Sequence, residues 1–204
     1  MRAVIFAGGK ITDYSFAKSM LREDDLIIAA DSGLEHFIKI GIEPDVTIGD
    51  MDSVQSKIIG KEIIKLEVMK DETDTEAAAM LAVKKGADNI LLLGVLGTRQ
   101  DHSIANVLLL KKLHDMNVSA SIVDEHNEIH FFCGKIELSG KKGDTVSVLP
   151  LSNLEGVVTE GLFYALSGET LVFGESRGVS NVMTDEKCVI TATSGTALII
   201  KSRD

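Results

Sequence analysis

The chain has no tryptophan, only two cysteines and two prolines, and no long apolar run, and each shortage narrows the possible classes of protein. The two cysteines, Cys133 and Cys188, show no metal-ligand spacing and no disulfide framework. Because both lie in apolar, strand-like segments, we predict that both are buried. No apolar run reaches the roughly 20 residues of a membrane-spanning helix, and Gly8-Gly9 interrupts the apolar N-terminus. We therefore expect no signal peptide, no membrane association and a reducing cytoplasmic location.

Positive charge is also scarce, with 21 Lys and Arg against 31 Asp and Glu and a net charge of -10. Such a chain does not favour a nucleic-acid backbone as its partner, so we expect no nucleic-acid binding. An acidic protein that binds phosphates needs metal ions or local basic groups. The 204 residues are enough for one large domain or two small ones.

The two halves of the chain have different patterns. Residues 1–125 alternate short apolar runs with helical stretches, including a fourth strand over 63–69 and a helix over 73–85 that begins with a Thr73–Glu76 capping box. Continuous apolar strands of this kind predict an α/β domain, with a mainly parallel sheet and helices on both faces. Residues 126–204 contain short β-rich runs separated by glycine-bearing turns, such as Ser167-Gly168, which predict an antiparallel β-sandwich.

One acidic stretch, Gly49-Asp50-Met51-Asp52-Ser53, follows a predicted strand. Two carboxylates separated by one residue on an extended backbone point to the same side, and Mg²⁺ is the usual ion between them. A solvated loop or a helix N-cap is the commoner explanation of a lone Asp-x-Asp, but further acidic stretches at 70–74 and 99–102 favour the metal site.

Further polar residues follow the other predicted strands of the first half. Because ligands bind beyond the carboxyl ends of parallel strands, these residues are expected at one edge of the sheet. Arg99 there fits a bidentate phosphate clamp. Each residue also has a purely structural reading, since Asp101 is a candidate N-cap and His102 a candidate surface histidine.

These motifs resemble the thiamine pyrophosphokinase family in order and spacing. The matching segments are Asp31-Ser32-Gly33, residues 44–53, 71–76 and 97–106, Gly161-Leu162, residues 164–166, residues 169–171 and residues 178–181. The resemblance implies transfer of diphosphate from ATP to the hydroxyl of thiamine, which gives thiamine diphosphate and AMP. It also implies a homodimer with sites at the subunit interface, an ATP- and Mg²⁺-binding catalytic domain at 1–125, and a β-sandwich domain at 126–204 that contributes to thiamine binding and dimerisation.

The resemblance also assigns roles to residues. The metal ligands would be Asp50, Asp52, Asp71 and Asp74. The catalytic residues would be Asp71, Asp74, Arg99 and Asp101, with Asp71 or Asp74 accepting the hydroxyl proton. Residues expected to bind the nucleotide are Asp31, Gly33, Gly49, Ser53, Thr73, Gly97, Thr98, His102 and Asn106. Ser180 and Asn181 would bind the thiamine pyrimidine. Met51 departs from the family, where phenylalanine is common, and the tryptophan that some members place beside the thiamine ring is absent.

Two other functions remain open from the sequence. A metal-dependent nucleotide-sugar transferase would use Asp50-Met51-Asp52 as its metal motif, but this reading leaves the β-rich half unexplained. A non-catalytic thiamine- or nucleotide-binding regulator would have no need of four metal-competent carboxylates.

Overall fold

The computed structural model describes residues 1–52, 54–69 and 71–203. Their contacts divide the chain into two compact units, Met1–Glu125 and His126–Asp204. Within the described ranges, no helix is both long enough and apolar enough to cross a membrane.

The first unit contains a six-stranded parallel sheet in the order β6-β5-β1-β2-β3-β4. Its strands are β1 (Arg2–Phe6), β2 (Leu26–Ala30), β3 (Val46–Gly49), β4 (Glu62–Lys65), β5 (Asn89–Leu93) and β6 (Ser119–Val123). The helices are α1 (Tyr14–Ser19), α2 (Leu34–Ile40), α3 (Asp74–Lys84) and α4 (Gln100–Asp115). The strand order reverses between β1 and β5, and crevices at such points are where open α/β sheets bind ligands.

Helices cover both faces of this sheet because its central strands are apolar on both sides. Val4 and Phe6 of β1 pack with Leu34 and Phe37 of α2 on one face. The alternate residues Ala3 and Ile5 are also fully buried, and α3 packs against β1, β2 and β3. The predicted α/β class is confirmed.

Strand β4 differs from the prediction. It ends at Lys65 rather than Met69 and is an exposed edge strand, with Ile63 on its open side. Val68 and Met69 are exposed outside the strand. Their apolar character suggested a strand, but no strand within the described ranges pairs with them.

The second unit contains two antiparallel sheets, ordered β12-β9-β14-β7 and β11-β10-β13-β8. The strands are β7 (Asn127–Phe132), β8 (Lys135–Ser139), β9 (Thr145–Pro150), β10 (Leu154–Glu160), β11 (Ser167–Leu171), β12 (Asn181–Val182), β13 (Lys187–Thr191) and β14 (Ala197–Ser202). One apolar core joins the two sheets, with Val148 and Ile199 from the first and Val157 and Ile190 from the second. This arrangement is the predicted β-sandwich.

Two local predictions for this unit are wrong. Cys133 is exposed and lies in the bend between β7 and β8, whereas Cys188 is buried as predicted. Ser167 and Gly168 begin β11 instead of forming a turn. The residue types at Cys133 and at Ser167-Gly168 are compatible with the predicted structure. The pairing of the strands, however, determines which residues form the turns.

Candidate active site

A cavity of about 500 Å³ lies at the carboxyl ends of β1, β2, β3 and β5, facing the N-termini of α3 and α4. This volume is within the range of small-ligand sites. Of the predicted site residues, the cavity is lined by Asp31, Asp50, Thr73, Asp74, Gly97, Thr98, Arg99, His102 and Asn106. The glycines after β1, Gly8 and Gly9, line it as well.

Three carboxylates converge in this cavity. One ligand oxygen from each of Asp31, Asp50 and Asp74 lies within 4.8 Å of the others. Oδ1 of Asp31 is buried and has no hydrogen-bond partner among the described residues. A buried carboxylate oxygen without a partner is unfavourable unless a cation or a donor meets it. Three clustered carboxylates, one of which has a buried oxygen without a partner, therefore fit Mg²⁺.

The backbone around Asp50 is not extended, contrary to the prediction from the spacing of Asp50 and Asp52. β3 ends at Gly49, and Met51 adopts a left-handed conformation with φ of 67°. Asp50 therefore lines the cavity while Asp52 is exposed. Asp71 is exposed too and does not belong to the carboxylate group found among the described residues. The predicted Ser53 lies outside the described residues.

The predicted Gly33 and Gly49 do not line the cavity, but they let the segments that carry it pack closely against each other. A side-chain carbon on Gly33 would lie 2.0 Å from the carbonyl oxygen of Phe6, and one on Gly49 would lie 2.9 Å from Cα of Asp31. Neither distance is tolerable for a real side chain. Gly49 thus allows the end of β3 to bring Asp50 towards Asp31.

The N-terminus of α3 faces the cavity and carries half of the predicted capping box. Oγ1 of Thr73 accepts a hydrogen bond from the backbone nitrogen of Glu76 at 3.2 Å. The carboxylate of Glu76 instead pairs with Nζ of Lys112 on α4 at 2.5 Å. A capped helix N-terminus presents partial positive charge, which favours phosphate.

The N-terminus of α4 carries Arg99, whose cationic side chain lines the cavity. Nη2 of Arg99 donates to Oδ2 of Asp101 at 2.6 Å, and both side chains are exposed. The Arg99 guanidinium lowers the pKa of Asp101 to about 2. Asp101 lies in the first turn of α4, and the N-cap position is held by Arg99, so Asp101 is not the N-cap. Its main contact among the described residues is with Arg99.

Two polar side chains of α4 hold the loops that line the cavity. Oγ of Ser103 accepts from the backbone nitrogen of Gly97 at 3.0 Å and lies 3.0 Å from the carbonyl oxygen of Arg99. Nδ2 of Asn106 donates to the carbonyl oxygen of Val95 at 2.7 Å, and both polar side chains are buried. Sequence reasoning missed Ser103. The signal was its place in the first turn of the helix, where a short hydroxyl reaches back to the preceding loop.

In the second unit, Ser180 and Asn181 are adjacent and have different surroundings. Ser180 is exposed, with φ of 60°, and its backbone nitrogen donates to Oγ of Ser147. The side-chain amide of Asn181 bonds to both the nitrogen and the oxygen of Tyr164, at 2.9 and 2.8 Å. Asn181 thus holds the exposed Phe163–Tyr164 pair, whose rings meet edge to face.

Asp31, Met51 and Ser180 share a feature that the sequence did not reveal. They are three of four described non-glycine residues with positive φ, the other being Asn117. Left-handed backbone is unfavourable for such residues and tends to cluster at functional sites. Each of the three lies in a motif selected from sequence.

Fold and site together define a class: a protein with an α/β unit that has a carboxylate-lined cavity at the carboxyl ends of its strands, and with a β-sandwich unit. The profile "Thiamin pyrophosphokinase, catalytic domain" matches residues 17–122, and "Thiamin pyrophosphokinase, vitamin B1 binding domain" matches residues 134–197. The chain belongs to the thiamine pyrophosphokinase family.

Individual relatives agree with this assignment. Thiamine pyrophosphokinase of Bacillus subtilis (strain 168) is 28% identical over 191 residues, which are 89% of each chain. Thiamine pyrophosphokinase 1 of Oryza sativa subsp. japonica is 26% identical over 189 residues, covering 82% of this chain and 69% of the relative. The crystal structure of the Geobacillus thermodenitrificans enzyme superposes with a TM-score of 0.87 at 27% identity, covering 100% of this chain and 98% of that one. The Bacillus subtilis structure has the same fold, with a TM-score of 0.90 at 23% identity and full coverage of both chains.

Proposed function

We propose that this chain transfers diphosphate from ATP to the hydroxyl of thiamine, giving thiamine diphosphate and AMP. The observation that carries the proposal is that a family with this reaction matches both units, and the first unit holds a carboxylate-lined cavity between two helix N-termini. The attacking hydroxyl would reach the β-phosphorus of ATP, because the product is a diphosphate and the leaving group is AMP.

Mg²⁺ is proposed as the ion of this site, held by Asp31, Asp50 and Asp74, whose ligand oxygens lie together. The ion would neutralise charge on the phosphate oxygens during transfer. Asp52 and Asp71 stay in the proposed ligand set on the strength of the family resemblance. Within that set, Asp71 or Asp74 is proposed to accept the hydroxyl proton.

The phosphate groups are proposed to lie against the N-termini of α3 and α4. There the Thr73-capped turn and the Gly97–Thr98 loop supply backbone dipoles, and Arg99 supplies the charge for a clamp. Asp101 is proposed to act by holding Arg99 in this place. Positioning and electrostatics of this kind provide most of the rate in phosphoryl transfer.

Ser180 and Asn181 are proposed to bind thiamine, and the active form is proposed to be a homodimer with sites at the subunit interface. Exposed apolar side chains in the second unit support the proposal of a homodimer, because a subunit interface would bury them. They are Val158, Phe163, Tyr164, Val172, Phe173 and Val179. The cytoplasm is the proposed location, which two free cysteines fit. Light scattering of the purified chain tests the homodimer, and cell fractionation tests the location.

The decisive experiment is to measure AMP release from ATP and Mg²⁺, with and without thiamine. Thiamine-dependent AMP release with matching thiamine diphosphate is expected. ADP as the product would contradict diphosphate transfer. Turnover of a nucleotide sugar would support the transferase alternative. Thiamine binding without any nucleotide turnover would support the regulator.

A further inference from the structure

One buried histidine outside the cavity reaches the glycine loop that lines it. His36 of α2 is only 7% exposed and does not line the cavity. Its Nε2 lies 3.0 Å from the carbonyl oxygen of Gly9, and its Nδ1 lies 3.0 Å from the hydroxyl of Tyr14. Burial lowers the pKa of His36, so the imidazole is neutral at physiological pH.

The two contacts fix the tautomer of this ring. A carbonyl oxygen only accepts, so Nε2 carries the proton and donates to Gly9. In the neutral ring Nδ1 is then an acceptor, and the Tyr14 hydroxyl donates to it. Tyr14 is itself held in place, because Nζ of Lys39 lies 5.4 Å from the centre of its ring. A chain of contacts thus runs from α1 through His36 to the loop after β1.

The loop has little freedom to find another conformation. The backbone nitrogen of Gly9 donates to the carbonyl oxygen of Gly94 at 2.6 Å, and that of Lys10 donates to Leu96 at 2.9 Å. A side-chain carbon on Gly9 would lie 2.4 Å from two carbonyl oxygens. The remaining polar group of Gly9, its carbonyl oxygen, is the one that His36 holds.

We propose that His36, with its tautomer set by Tyr14, is a positioning residue that holds the Gly9 carbonyl away from the bound nucleotide. A carbonyl oxygen carries negative partial charge and repels phosphate oxygens, whereas a loop whose carbonyl is held inside presents a compatible surface. This role rests on the proposed use of the cavity for ATP. It adds to that function Tyr14 and His36, which do not line the cavity and are not among the three clustered carboxylates.

The test compares His36→Leu, which removes the donor, with His36→Gln, whose amide can donate to Gly9. Binding of a non-hydrolysable ATP analogue with Mg²⁺ is measured by calorimetry, together with KM for ATP, KM for thiamine and kcat. Removing the donor from the part-buried Gly9 carbonyl should weaken analogue binding and raise KM for ATP at least about fivefold in His36→Leu. KM for thiamine should change less than about twofold, and His36→Gln should recover most of the loss.

Two controls separate positioning from a merely structural role. His114→Gln changes an exposed histidine near the opposite end of α4 and should leave every parameter unaltered. Tyr14→Phe removes one hydroxyl, keeps the ring and should weaken analogue binding about twofold to threefold. If His36→Leu does not fold, analogue binding by Tyr14→Phe tests the proposal instead.

Folded His36→Leu with unchanged analogue affinity would overturn the proposal. So would a rise in both KM values together, or unchanged binding by Tyr14→Phe where His36→Leu does not fold. Analogue binding needs no turnover, so the two proposals can fail separately. A parent chain that binds the analogue but releases no AMP would refute the proposed reaction. The role of His36 would still be tested by the binding measurements.

Discussion

Oδ1 of Asp50 accepts a hydrogen bond from the backbone nitrogen of Asp52 at 3.0 Å. This short turn directs the Asp50 carboxylate towards Asp31 and Asp74, and leaves Asp52 exposed. The local backbone, rather than the spacing of the two acids, therefore decides which carboxylate enters the cavity.

Neutralising a clustered carboxylate should weaken magnesium binding. We expect Asp50→Asn and Asp74→Asn to raise the Mg²⁺ concentration for half-maximal AMP release at least about tenfold, because each removes a charged oxygen ligand. Asp115→Asn removes the same charge from an exposed position near the end of α4 and serves as the control. Unchanged magnesium dependence in Asp50→Asn would refute the metal assignment.

Asp31 belongs to the cluster of three carboxylates in the structure but not to the set of metal ligands implied by the family resemblance. Its buried oxygen has no partner among the described residues, so we expect Asp31→Asn to shift magnesium dependence as strongly as Asp50→Asn. Asp52→Asn and Asp71→Asn, measured in parallel, test the other two proposed ligands. A normal magnesium response in Asp31→Asn would remove Asp31 from the site.

The Arg99–Asp101 pair should matter for ATP rather than for folding. Both side chains are exposed, so Asp101→Asn should leave the free energy of unfolding close to that of the parent. It should lower kcat/KM for ATP about tenfold, because Arg99 loses its orienting partner, and Arg99→Gln should lower it further. Steady-state kinetics and urea unfolding of both variants provide the measurement. Asp101→Asn with parental kinetics would show that Arg99 needs no such partner.

The Thr73 cap should stabilise α3. We expect Thr73→Ala to lower the free energy of unfolding by about 1 kcal/mol, since the backbone nitrogen of Glu76 loses its acceptor. Thr73→Ser keeps the hydroxyl and should stay close to the parent. Urea unfolding of the three chains makes the comparison, and equal stabilities would mean that water caps this helix equally well.

His36 should make stability depend on pH. Its pKa in the folded chain lies below the ordinary 6.5, mainly because of burial. As pH falls through 6.5, the imidazole is therefore protonated to a greater extent in the unfolded chain than in the folded chain, and stability is lost. Between pH 7.5 and 5.5 the parent should lose up to about 1.4 kcal/mol more than His36→Gln.

The surroundings of His36 make this comparison interpretable. The charged and titratable groups acting on it are Glu35 and Lys39 of its own helix and Tyr14 of α1. The pKa of Glu35 is itself lowered, mainly by its hydrogen bond with Ser56, so its charge is constant over this pH range. Urea unfolding at the two pH values gives the answer. Parallel losses in parent and variant would mean that His36 titrates alike in both states.

Subunit mixing should test the proposed interface sites. If Asp50 and Asn181 act in one site made by two chains, mixed Asp50→Asn and Asn181→Ala subunits should regain up to about a quarter of parental activity. That figure follows from half of the dimers being mixed, each with one intact site. Each variant incubated alone is the control. No recovery, with mixed dimers shown to form, would place both residues in a site of one chain.

Much of the fold followed from local patterns. Continuous apolar runs such as Leu26–Ala30 predicted a parallel sheet, and the change of pattern near residue 125 predicted a β-rich second half. Predictions failed where pairing decided the outcome, as at Val68 and Met69, because apolar residues extend a strand only when a neighbour is present. The prediction that Cys133 is buried was wrong for a similar reason, because Cys133 lies in an exposed bend between two strands.

The sequence by itself determined the order of most elements, the family motifs and the sheet edge at which the polar residues collect, because the motifs at Asp31 and Asp50 directly follow apolar strands. Tertiary structure decided which of those residues meet. Asp31, Asp50 and Asp74 come from three different connections. Strand order brings them to one edge, and the close packing that Gly49 allows lets Asp50 approach Asp31. The link from Tyr14 through His36 to Gly9 joins three segments. No local pattern reveals it, because hydrogen bonds between distant residues exist only after the chain has folded.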